Sequence, residues 1–181
     1  MARIIAHASQ GTGEAMFHIV LFQPEIPPNT GNVIRLAANA GGTLHLVRPL
    51  GFELTRKAVR RAGLDYDELA TVHVHASFGD CLEVLAGARL FSVETGGARA
   101  YSAVRFRPGD ALLFGPETRG LPPAALAHVT RERQLAIPMH PGNRSLNLAN
   151  AVALVVYEAW RQNGFAGAQT PGAASAAPTR L

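Results

Sequence analysis

Between residues 17 and 163 the chain alternates short apolar runs with stretches whose apolar positions recur at helical spacing. The runs predict strands at Phe17–Phe22, Thr43–Val47, Thr71–His75, Leu90–Val93, Ala111–Phe114 and Gln134–Ile137. The periodic stretches predict helices at Gly31–Ala40, Thr55–Ala62, Phe78–Ala86, Pro122–Ala127 and Ser145–Gln162. Strands alternating with helices in this way predict an α/β fold, a mainly parallel sheet with helices on both faces. Ligands of such sheets sit beyond the carboxyl ends of the strands, so the informative loops are those that leave strands.

The flanks lack this pattern. Residues 1–15 are small, polar and aperiodic and read as a flexible N-terminal extension, with Met16 opening the first strand. From Gly164 to Leu181 the chain is rich in Ala, Gly, Pro, Ser and Thr and reads as a flexible tail. The expected domain is therefore residues 16–163. A chain of 181 residues suffices for one α/β domain, and 48% hydrophobic with 17% charged residues excludes a disordered chain. The most apolar stretch, Leu146 to Trp160, is interrupted by Asn147, Asn150 and Glu158, so no run spans a bilayer. The N-terminus also lacks the apolar block of a signal peptide. The expected location is the cytoplasm. Cys81 is the only cysteine, which excludes an internal disulfide and a multi-cysteine zinc site. A net charge of +4 and a pI near 10.0 lean toward a polyanionic partner. The lean is slight: Lys57 is the only lysine, and a chain rich in Ala, Gly, Pro and Arg also follows from genome base composition.

Three strand-leaving loops carry candidate chemistry. The first runs from Gln23 to Asn32 and contains Pro24, Pro27 and Pro28. Proline stiffens it, Asn29 or Thr30 is placed to cap the next helix, and free amides there would suit an anion, with Arg35 further along. The second, Phe114 to Pro122, brackets Glu117 and Arg119 with two glycines and two prolines. Glycine lets a ligand approach the backbone, although Glu117 and Arg119 could equally neutralise each other. The third, Ile137 to Asn150, runs into the last helix. Ser145 is placed to cap it, and Asn147 and Asn150, poor helix formers on one side of its first turns, call for partners. Each loop has a plain structural reading as well: a well-capped proline-rich turn, a surface ion pair, and buried hydrogen bonds.

Other features are weaker. Arg56, Lys57, Arg60 and Arg61 form a basic stripe that suits RNA phosphates or plain solvent. His73 and His75 point to one side of a strand and, without nearby acids or cysteines, make a poor metal site. No glycine fingerprint follows the first strand, and Thr43–Val47 ends in Arg48 and Pro49, where a dinucleotide fold would place an acid for the ribose. Any nucleoside cofactor would need another loop system.

Together the segments Asn29–Arg35, Phe114–Pro122 and Ile137–Leu148 resemble the three ordered motifs of the SPOUT methyltransferases. Pro24–Asn32, Arg60–Tyr66 and Val156–Gln162 are further similar to the TrmL (YibK) branch, the tRNA wobble-nucleotide 2′-O-methyltransferases. The resemblance runs from Met16 to Gly167. It implies a C-terminal deep trefoil knot, a homodimer, S-adenosylmethionine as cofactor, no metal, and tRNA as substrate partner. By position it implies cofactor contacts at Val93, Gly115, Ile137, Ser145 and Leu146. It implies catalytic roles for Arg35, Glu117, Ser145 and Asn147, and substrate contacts at Asn29, Arg60, Arg61, Arg119, Arg144 and Tyr157. Arg105 and Arg107 are further candidates for the RNA surface. Arginine is a difficult base because its pKa exceeds about 12, so Arg35 is expected to clamp the substrate phosphate while Glu117, Ser145 and Asn147 orient groups or pass a proton. The nearest alternatives are methylation of another tRNA position or of ribosomal RNA, and a non-catalytic knotted RNA-binding protein.

Overall fold

The computed structural model describes residues 15–53 and 71–169. The helix expected at 55–62, with Arg56, Lys57, Arg60 and Arg61, lies outside them, as do the termini.

Strands β1 (Phe17–Phe22), β2 (Thr43–Val47), β3 (Val72–His75), β4 (Leu90–Val93), β5 (Arg99–Ala100), β6 (Asp110–Phe114) and β7 (Gln134–Ala136) form one sheet in the order β3-β2-β1-β6-β4-β7-β5. Every pairing is parallel. The helices are α1 (Pro27–Asn39), α2 (Phe78–Val84), α3 (Pro123–Leu126) and α4 (Leu148–Gln162).

The period of two in β1 sorts the helices onto two faces. Phe17, Ile19 and Leu21 pack with Val33, Ile34 and Ala37 of α1 and Val152, Val155, Val156 and Ala159 of α4. Val20 and Phe22 face the other way, toward Cys81 and Leu85 around α2 and Ala125 of α3. The expected parallel sheet with helices on both faces is what forms.

From β1 the chain builds outward to β2 and β3, then crosses to the other side, where β6 lies against β1. The loops leaving β1 and β6 therefore meet at the carboxyl edge where the strand order reverses, the position at which such sheets bind ligands.

Several boundaries differ from expectation. Helix α1 begins at Pro27, not Gly31: proline at a first helical position has a suitable φ and an N–H the helix would not use. Asn29 and Thr30 consequently lie inside its first turn, and its N-cap Ile26 has no side-chain cap. Helix α4 begins at Leu148 and is capped by Asn147 rather than Ser145. β7 stops at Ala136, one residue earlier than expected. The two-residue β5 gives too short a pattern to read. Beyond α4, residues 164–168 turn back onto it: Phe165 N–H donates to the carbonyl of Trp160 at 3.0 Å, and Trp160 Nε1 donates to the carbonyl of Ala166 at 3.0 Å. The boundary expected at Asn163 falls at the start of this turn.

Candidate active site

A cavity of about 470 Å³ opens at the carboxyl ends of β4, β6 and β7, within the size range of small-molecule sites. Val93, Gly115, Ile137, Ser145 and Leu146, separated by up to 53 positions, all line it. Its apolar wall is Val93, Ile137, Met139 and Leu146, and its polar wall is Glu94, Thr95, Glu117 and Asn147. Glu94 and Thr95 have no counterpart in the three loops singled out from the sequence, because the short Gly96-Gly97 turn that follows them carries no motif.

Glu117 occupies the anion position at the start of α1. Its Oε2 accepts the N–H of Glu25 at 2.8 Å, and its Oε1 accepts the N–H of Ile26 at 3.2 Å and the amide of Asn29 at 3.0 Å. The protein's own carboxylate thus takes the backbone N–H groups just before α1, while those of Asn29 and Thr30 turn to the Ile26 carbonyl. Glu25 returns the contact: its Oε2 accepts the Thr118 hydroxyl at 2.7 Å and the Thr118 N–H at 3.2 Å. Two loops thus clamp each other through reciprocal carboxylates. The alternative in which Glu117 and Arg119 neutralise each other is not what forms. Arg119 instead donates to Gln23 Oε1 at 3.0 Å and stands 3.7 Å from Glu25 Oε1.

The third loop joins through asparagine. Asn147 Nδ2 donates to Asn29 Oδ1 at 2.8 Å, and its own Oδ1 accepts the N–H of Ala149 at 3.0 Å to cap α4. Asn29, expected on the substrate side, is only 6% exposed and has both ends of its amide engaged. Asn150 is exposed and offers no second partner to that network; its N–H is 3.4 Å from Asn147 Oδ1.

The glycines make this packing possible. A Cβ at Gly115 would stand 2.5 Å from the Leu121 nitrogen, so Gly115 makes room for its own loop and not, on that side, for a ligand. A Cβ at Gly51 would stand 2.7 Å from the Cα of Glu25, where the next loop supports the first from behind.

The remaining expected residues are dispersed. Arg35 is on the exposed side of α1 and Tyr157 is 43% exposed on α4; neither lines the cavity. Arg105, Arg107 and Arg144 are exposed. Arg60 and Arg61 lie outside the described residues.

The histidines are less isolated than their sequence positions imply. His75 does have a cysteine nearby: ligand atoms of His45, His75 and Cys81, all buried, lie within 4.8 Å of one another. The sequence separates them by up to 36 positions, and only the pairing of β2 with β3 and the packing of α2 unite them. The ring nitrogens are taken up by one another: His18 Nδ1 is 3.1 Å from His45 Nε2, and His45 Nδ1 is 2.9 Å from His75 Nε2. Burial, then the neighbouring His18, push His45 down to about 3. Burial pushes the Cys81 thiol up to about 12. The ladder is a neutral hydrogen-bonded stack away from the cavity.

Residues 16–157 match the profile of the SpoU rRNA Methylase family. The chain is similar to a tRNA (cytidine(34)-2'-O)-methyltransferase of Methylovorus glucosotrophus, 56% identical over 153 residues that make up 84% of this chain and 99% of the relative. It is also similar to a solved structure described as giving structural insights into the 2-OH methylation of C/U34 on tRNA. That likeness has a TM-score of 0.77 and 51% identity, covering 84% of this chain and 99% of the other. A SpoU methyltransferase of Streptomyces viridochromogenes solved with AdoMet matches with a TM-score of 0.72 and 27% identity, over 84% of this chain and 60% of that one.

Proposed function

The chain belongs to the SpoU methylase family, and from that premise we propose that it transfers a methyl group from S-adenosylmethionine to the ribose 2′-hydroxyl of nucleotide 34, a cytidine or modified uridine, in the tRNA anticodon loop. The observation that carries the reading is the 56% identity with a tRNA (cytidine(34)-2'-O)-methyltransferase across nearly that relative's whole length. The cavity supports it, because its apolar wall beside backbone amides and carbonyls suits adenine.

When bound, the cofactor supplies an electrophilic methyl group. The chain must align the attacking hydroxyl and relieve it of its proton. Glu117 and Asn147 serve as positioning groups, since their hydrogen bonds hold three loops in one geometry. Ser145, exposed in the cavity wall, is free to meet the substrate. Arg35 clamps a substrate phosphate and lowers the cost of a developing alkoxide. Arg119, Arg144 and the stripe containing Arg60 and Arg61 lie on the RNA side. An anticodon loop suits this surface because its nucleotides are accessible.

The chain acts as a cytoplasmic homodimer in this reading. Leu154, 44% exposed, and Tyr157 on α4 offer the apolar surface a second copy would cover. The C-terminal segment threads a trefoil knot. This is supported by the close pass of the segment after β4 against β7, where a Cβ at Gly97 would stand 2.1 Å from the backbone of Leu135. The test is incubation with labelled S-adenosylmethionine and total tRNA, with the label mapped by nuclease digestion and mass spectrometry. A 2′-O-methylated nucleotide at position 34, with turnover reduced about 100-fold in Arg35→Ala, is the expected result. Label at another site overturns the substrate, and near-normal turnover in Arg35→Ala overturns the clamp.

A further inference from the structure

The acid that would read a nucleoside ribose after the second strand is missing, because β2 runs into Arg48 and Pro49. The fold places a carboxylate after another strand. Glu94 is the first residue beyond β4 and lines the cavity. Its Oε1 accepts the N–H of Leu121 at 3.0 Å. Its Oε2 lies over Gly120, where a φ of +68° favours glycine and a Cβ would stand 2.9 Å from that oxygen. No ion pair engages it among the described residues, and burial raises its pKa. The contrast with Glu117 is direct: three N–H groups satisfy one carboxylate and one N–H serves the other. Glu94 is thus a half-buried acceptor, held from behind and short of donors, on the wall of a concave site.

We propose that Glu94 receives the ribose hydroxyls of the nucleoside cofactor bound in this cavity. The proposal rests on the cofactor reading above and adds the group that fixes the cofactor's sugar. Vicinal hydroxyls present two O–H donors to an acceptor-only carboxylate, and such charge-assisted bonds are the strong ones. The cofactor's sulfonium is the poorer partner. A carboxylate against it would stabilise a cation that the reaction consumes, deepening the ground state and slowing transfer. A ribose contact holds the cofactor equally before and during transfer. The bond from Leu121 gives Glu94 a second effect, since a ligand that orders the carboxylate also braces the 115–121 loop carrying Glu117.

The test is calorimetric titration of the full-length protein with S-adenosylhomocysteine and with its analogue lacking both ribose hydroxyls. Removing the hydroxyls is expected to weaken wild-type binding about 10- to 100-fold, the range of a hydrogen bond to a charged group. In Glu94→Ala the two ligands should bind within about threefold of each other, because a thermodynamic cycle isolates the lost pair. Glu94→Gln keeps an oxygen for the Leu121 amide and should narrow the gap without loss of melting temperature, so it carries the comparison if Glu94→Ala is poorly folded. A gap as wide in the variants as in wild type overturns the proposal and leaves Glu94 a brace for the loop. Loss of S-adenosylmethionine binding without loss of S-adenosylhomocysteine binding also overturns it, in favour of a sulfonium contact. Wild-type protein that binds neither natural ligand overturns the cofactor reading itself.

Discussion

Two polar networks run through this chain and end differently. The histidine ladder joins neighbouring strands, with partners 27 and 30 residues apart. The network Glu117–Asn29–Asn147 joins loops whose partners are 88 and 118 residues apart. Strand pairing already holds the histidines, so their hydrogen bonds satisfy groups that the sheet has placed. The loops have no ladder to hold them, and the carboxylate and the two amides set their geometry. A polar network supported by regular structure adds stability locally. One that replaces regular structure determines the shape of a site, and the cavity lies beside the second.

The largest effect is expected on deleting the acceptor at the centre of the loop network. Glu117→Ala leaves the N–H groups of Glu25 and Ile26 and the amide of Asn29 without their acceptor. Turnover on tRNA should fall about 100-fold or more, the scale of an ångström-sized misplacement. Stability to urea should fall by about 2–3 kcal/mol. Glu117→Gln retains one acceptor oxygen and should fall between. Near-normal turnover in Glu117→Ala would mean that the glycine contacts alone hold the loops.

These networks also mark what the sequence makes legible. Alternating apolar runs placed β1, β2 and β4 to the residue, because buried parallel strands are continuous apolar segments bounded by turns. The five cavity residues named by resemblance do meet in space. Local spacing, however, gave wrong partners. Arg119 is two positions from Glu117, yet it turns to Gln23 and Glu25. Asn29 looked like a cap because that role needs no knowledge of what lies 88 residues away, whereas its amide joins Glu117 and Asn147. His75 looked isolated from any cysteine for the same reason. In each case the missing information was strand order, which decides which loops become neighbours. Glu94 was passed over because a single acid after a strand has no pattern until the cavity gives it one.

A smaller effect tests the histidine ladder. Neutral His45 is held well below its ordinary value near 6.5, at about 3, and His18 and His75 are lowered as well. The unfolded chain therefore binds more protons than the folded one once the pH drops below about 6.5. The ladder's contribution is complete above that pH and is lost progressively toward pH 3. For His45 alone the loss between pH 7.5 and pH 5 is about 2 kcal/mol. Urea unfolding at the two pH values measures it. His45→Gln should be less stable at pH 7.5 but show a flatter pH dependence. An equally steep dependence in that variant would place the titration elsewhere, with the lowered His18 and His75 the first groups to consider.

The finest distinction lies at Asn147, which serves both kinds of structure: its oxygen caps a helix and its amide joins the loop network. Asn147→Ala removes both and should lower stability by about 1 kcal/mol, the usual worth of an N-cap. Asn147→Asp keeps a capping oxygen, and the start of α4 favours a negative charge, so its melting temperature should stay near that of wild type. It cannot donate to Asn29, however, and turnover should still fall, by about 10-fold for one lost hydrogen bond of the positioning network. The two substitutions separate the helix from the site. If Asn147→Asp has wild-type turnover, the geometry that matters ends at Asn29, and the third loop is held by its apolar contacts, Ile137 and Leu148 among them.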